Sequence, residues 1–109
     1  MPLYLWQGAY APEAWAALVE KPENRISAVR PAIEKLGGKI RNAFFCFGEY
    51  DIILLLEMPD NISAAALTMA IAAGGACKAA KTTVLMSPDD GLAAMRKASA
   101  SGYHPPKHR

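Results

Sequence analysis

Residues 46–61 read CFGEYDIILLLEMPDN, and the reading of this stretch decides the fold. Gly48 supplies permissive backbone for a tight connection, and Pro59, Asp60 and Asn61 end the segment. Between those signals Tyr50 to Met58 reads as a strand. Its apolar residues do not alternate with polar ones: Ile52, Leu54 and Leu56 face one way, while Ile53 and Leu55 face the other. An antiparallel sheet with one face in water should alternate, so this strand requires cover on both sides.

Upstream, KIRNAFFCF (39–47) reads as a strand joined to it by about three residues, which makes a hairpin. Gly37-Gly38 closes a helix whose N-cap is Asn24 and whose Ile26, Val29, Ile33 and Leu36 form one buried stripe. Pro31 falls inside that helix, where a proline deletes a hydrogen bond at a cost of about 3 kcal/mol, and predicts a kink. Earlier still, Pro12 suits the start of the helix PEAWAALVE, and LYLWQGAY (3–10) is a first strand.

Downstream, Asn61 or Ser63 caps an alanine-rich helix over 62–73 that Gly74-Gly75 stops. ACKAAKTTVLM (76–86) is a fourth strand, and Ser87 caps a last helix with Asp89 and Asp90 in its first turn. The order is the split βαβ pattern, an α+β ferredoxin-like βαββαβ unit plus a C-terminal helix, with an antiparallel sheet ordered 4-1-3-2. Residues 1–98 form one domain and 99–109 a C-terminal tail. Cys46 and Cys77 then lie on opposite edges of the sheet, beyond disulfide reach.

With 109 residues the chain holds one core and no second domain. The formal net charge is +2, and no basic cluster interleaved with aromatics precedes the tail, so no nucleic-acid surface is read. No apolar run approaches the roughly 18 residues of a membrane span, and the N-terminus lacks a basic segment followed by a long apolar one. A cytoplasmic location is the default. The two cysteines sit in no CxxC or CxxH pair, and no metal site is expected.

Helices on one side of the sheet cover one face of the third strand, and the last helix is too short to roof the other. An exposed apolar face marks an interaction site. The economical cover is a second copy of the chain, sheet against sheet, most commonly as a two-fold dimer. The alternative is a monomer with its last helix and tail folded over that face.

LGGKIRNAFFCFGEYDIILLLEMPDN resembles the central region of GYD-domain proteins, whose Gly, Tyr, Asp signature here is Gly48, Tyr50 and Asp51. MPLYLWQ and KTTVLM fit the two ends, so the resemblance covers about residues 1–90. It implies a ferredoxin-like subunit pairing into a dimeric α+β barrel, in agreement with the face argument, and it implies no particular activity. Pro31 and the extension SGYHPPKHR depart from the family pattern.

Several residues invite a chemical reading. Tyr50 and Asp51, with Lys81 of the fourth strand, are candidate acid, base or electrostatic groups. Their structural readings are a packed tyrosine, a carboxylate accepting backbone N–H groups, and an edge-strand lysine. Tyr4, Trp6 and Tyr10 share a face of the first strand with Gly8 and, with Tyr50, are candidate ligand-binding residues, although core packing is the commoner use of such rings. His104 and His108 lie in the tail, so the body has no histidine base and a haem-degrading role lacks its usual axial ligand. No cofactor is expected. The leading expectation is a homo-oligomeric module that binds a small apolar or aromatic molecule or serves assembly. Its rival is a cofactor-independent oxygenase or isomerase, which requires at least two of the candidate groups to meet in one cavity.

Overall fold

β1 (Leu3–Tyr10) is an inner strand of the sheet because both its edges find partners. The computed structural model describes residues 1–106. In it β1 pairs antiparallel with β3 (Ile52–Glu57) on one side and β4 (Cys77–Leu85) on the other, and β2 (Lys39–Phe45) completes the sheet beyond β3. The order β2-β3-β1-β4 is the expected 4-1-3-2 read from the opposite edge. Four helices, α1 (Pro12–Glu20), α2 (Arg25–Lys35), α3 (Asn61–Gly74) and α4 (Pro88–Ser99), make the fold α+β.

The helix ends follow local chemistry. The Asn24 side chain accepts the Ile26 and Ser27 amides at the start of α2. At its other end the Gly37 and Gly38 amides donate back to the Glu34 and Ile33 carbonyls, satisfying groups that every helix C-terminus leaves open. Pro31 lies inside α2 and is exposed, and the helix continues to Lys35. Ser87 caps α4 through the Asp90 amide, as expected.

Two details differ from the sequence reading. Asp60, not Asn61 or Ser63, caps α3, its carboxylate accepting the Ser63 amide at 2.8 Å. Asn61 is already engaged: the Tyr4 hydroxyl donates to its Oδ1 at 2.7 Å. The β2–β3 connection spans residues 46–51, longer than the expected three or so, and within it Asp51 is bonded both to β1 and to Cys46.

The core lies on one face of the sheet. Ile52, Leu54 and Leu56 of β3 meet Tyr4 and Trp6 of β1, Ile33 of α2 and Leu67 of α3, all buried. On the other face Leu3, Leu5, Ile53, Leu55 and Leu85 are half-buried, and Phe44 is 60% exposed. α4 buries none of its residues, and Leu92 and Met95 stay exposed. The Cα radius of gyration, 17.9 Å, exceeds the roughly 13 Å that a packed chain of this length has.

Candidate functional site

The signature loop is a knot of backbone contacts. Gly48 sits at φ 130°, in the region that favours glycine. The Cys46 thiol donates to the Tyr50 carbonyl at 3.0 Å, and the Cys46 amide to the Asp51 carbonyl at 2.9 Å. The Asp51 amide donates to the Gly8 carbonyl, and its Oδ2 accepts the Tyr10 amide, each at 2.9 Å. The register of β1 against β4 shifts between Ala9 and Tyr10, so the carboxylate satisfies an amide at a point where the ladder is irregular. Asp51 therefore holds the end of β1 in place.

Beside that end lies a cavity of about 50 Å³, between the sheet and the helices. Trp6, Tyr10, Ile52 and Leu54 form its sheet wall. Arg25 and Val29 of α2, Ile71 of α3, and Ala76 with Cys77 at the start of β4 close the rest. Trp6 is fixed on two sides. Its indole N–H donates to Thr68 Oγ1 at 3.1 Å, and its ring lies over Gly8, where an added Cβ would come within 2.6 Å of two ring carbons. Tyr10 meets Trp15 edge to face, with centroids 5.2 Å apart and planes at 77°.

The polar groups of the cavity have distinct charge states. Burial pushes the Tyr10 phenol up from its ordinary value, Cys77 and Asp51 add to the rise, and Arg25 opposes it. Burial likewise pushes the Cys77 thiol up, with Asp51 adding and Arg25 opposing. Both groups are neutral donors near pH 7. The cation among the lining residues is Arg25, whose Nη1 also contacts Glu23 Oε1 at 2.7 Å on the outer surface.

Of the residues singled out in the sequence, Trp6 and Tyr10 line this cavity. Tyr4 is buried and contributes to a separate groove between α3 and β4, with Asn61, Thr68 and Val84. Tyr50 is half-buried in the loop, and Asp51 is bound to β1 outside the cavity lining. Lys81 is exposed in β4 opposite Gln7, on the face away from Trp6. Tyr50, Asp51 and Lys81 are thus not gathered at one cavity within the chain. His104 is exposed, and His108 lies outside the described residues. Among the described residues no three His, Cys, Asp or Glu side chains are grouped to hold a metal, and no helix is long and apolar enough to cross a membrane.

Arg25 and Cys77 were not singled out in the sequence as site residues, and of the two only Arg25 carried a signal there. Arg25 stands four residues before Val29 and eight before Ile33, on the side of α2 that faces the sheet. Cys77 is the register partner of Tyr10.

Fold and signature loop together define a ferredoxin-like α+β protein whose aspartate ties the β2–β3 connection to β1. The GYD domain model matches residues 4–95, and the chain belongs to the GYD domain family. Among solved structures, the crystal structure of FFRP-DM1 is 18% identical, covering 79% of this chain and 100% of its own, with a TM-score of 0.49. Hypothetical protein PHS023 from Pyrococcus horikoshii is 15% identical over 80% of this chain and 92% of its own, with a TM-score of 0.50, a likeness of fold alone. No curated protein matches the chain.

Proposed function

We propose that this protein is a homo-oligomeric module that binds a small, largely apolar molecule, its subunits pairing sheet against sheet as an α+β barrel. The observation that carries the binding is the cavity beside Trp6, whose walls are mostly aliphatic and aromatic and whose Tyr10 and Cys77 are held neutral. Space of this kind is retained only if the surrounding side chains are prevented from collapsing into it. The Thr68 bond and the Gly8 contact hold the indole at its wall.

Pairing is supported by the second face of the sheet. Leu3, Leu5, Ile53, Leu55 and Leu85 form an apolar surface there, and α4, which in a monomer would have to fold over it, buries none of its residues. A second sheet is the cover of matching shape and chemistry. Enzymatic use of Tyr50, Asp51 and Lys81 draws no support from one chain, since the carboxylate is engaged with the Tyr10 amide and the lysine lies on the other face.

Methyl-detected NMR tests the binding site directly. Small neutral molecules of about four to six heavy atoms, butyramide among them, are expected to shift the methyl resonances of Ile52, Leu54 and Ile71 in a saturable way. Methyl resonances that stay unmoved throughout such a series would rule the cavity out as a binding site.

A further inference from the structure

We propose that the cavity takes a short monocarboxylate, with its aliphatic tail among Trp6, Ile52, Leu54 and Ile71 and its carboxylate against the Arg25 guanidinium. This inference rests on the binding site proposed above and adds the chemical class of its ligand.

The polar side chains of the lining can each donate. Arg25 carries five N–H groups and no acceptor, and the Tyr10 hydroxyl and Cys77 thiol are protonated near neutral pH. A carboxylate is acceptor-only, and its two oxygens match the guanidinium fork. An ammonium ligand would meet a like charge in Arg25. A phosphate ester would set several charged oxygens against Val29 and Ile71 with no donor there.

Two acids lie near enough to compete. Asp51 is committed to the Tyr10 amide and does not line the cavity. Glu23 holds one guanidinium nitrogen at 2.7 Å, but its side chain is 54% exposed, and surface pairs of this kind contribute little. An incoming carboxylate shares or displaces it.

Size fixes the tail. The cavity's 50 Å³ is several times the roughly 10–15 Å³ that one water molecule needs, which admits an aliphatic tail of about three to five atoms. An aromatic ring fills a cavity nearer 150 Å³, so the space favours the narrower aliphatic chain. The aromatic ligand entertained from the sequence is therefore narrowed to an aliphatic acid.

Butyrate and butyramide, equal in heavy atoms and differing in charge, form the test pair. Each is titrated into the full chain at pH 7 and constant ionic strength, with the methyls of Leu54 and Ile71 and the Arg25 Nε–H as reporters. Both are expected to shift the methyls, butyrate with a Kd at least tenfold lower and with the larger shift at Arg25. Arg25→Gln is expected to abolish the preference for the acid, and a circular dichroism spectrum unchanged from the parent's certifies that the variant is folded. Equal affinities for acid and amide in the unmodified protein overturn the carboxylate inference and leave the binding site standing. No shift with either compound overturns both.

Discussion

Replacing Gly8 with alanine tests whether the Trp6 ring is held where the structure places it. The new Cβ would lie 2.6 Å from two carbons of the indole and 3.4 Å from Ile52 Cγ2, so the ring must move. Trp6 is 3% exposed, and overpacking at such a site costs about 1–3 kcal/mol. A ring displaced from Thr68 Oγ1, now at 3.1 Å, forfeits a hydrogen bond contributing about 1 kcal/mol. Alanine restricts the unfolded chain more than glycine does, which offsets about 0.4–1 kcal/mol. The net expectation is a loss of about 1–3 kcal/mol, or about 4–20 °C in Tm. Urea denaturation followed by far-UV circular dichroism reads it, at one fixed protein concentration because the stability of an oligomer depends on concentration. A cycle with Thr68→Val locates the cause: that change is expected to cost less in the Gly8→Ala background than alone. A Gly8→Ala protein within about 0.5 kcal/mol of the parent, the range of an ordinary surface substitution, or strictly additive effects in the cycle, would refute the account of how the cavity wall is fixed.

Asp51→Ala leaves the Tyr10 amide without its acceptor and is expected to destabilise by about 1–3 kcal/mol. Asp51→Asn, which keeps an oxygen there, should cost less in the same denaturation assay. Leu54→Ala, at a fully buried position, should cost about 2–5 kcal/mol. The folded state holds the Cys77 thiol above its ordinary value of 9.0, so the unfolded chain loses this proton first. The stability it contributes is complete below that value and is lost as pH rises through the folded-state value. Stability measured against pH should therefore fall less steeply above pH 9 in Cys77→Ala than in the parent. The Asp60 cap acts in the opposite sense, because the Ser63 amide holds its carboxyl below the ordinary range. Its contribution is present above that range and is lost as the carboxylate protonates, so Asp60→Ala should weaken the dependence of Tm on acid pH.

The architecture was legible because local signals agree with the global pairing. Gly37-Gly38, Pro59-Asp60 and Gly74-Gly75 bracket the elements, and the unalternating run from Ile52 to Leu56 identifies a strand with two apolar faces. The details that escaped are set by contacts between distant residues. Turn chemistry around Gly48 suggests a short hairpin, but Asp51 is drawn to Gly8 and Tyr10 of β1. Asn61 looks like a cap by type, but the Tyr4 hydroxyl occupies it and Asp60 takes the role. The cavity combines residues as distant in sequence as Trp6, Arg25 and Cys77, and only the folded sheet brings α2 and the start of β4 to one point. Trp6 and Tyr10 were visible as a wall because they share a strand face. Arg25 was hidden because a lone arginine at a helix start ordinarily reads as solvated surface.

Sedimentation equilibrium of the unmodified protein beside Leu55→Arg decides whether the open face of the sheet pairs with a second copy. Leu55 lies on that face in register with Leu5 and Asn42, so a charge there would be buried unpaired in the assembly but left in water in a single chain. The parent is expected at a mass of at least twice 11.7 kDa, and the variant at 11.7 kDa with an unchanged circular dichroism spectrum. A parent protein sedimenting at 11.7 kDa, or a variant that assembles as the parent does, would contradict the pairing.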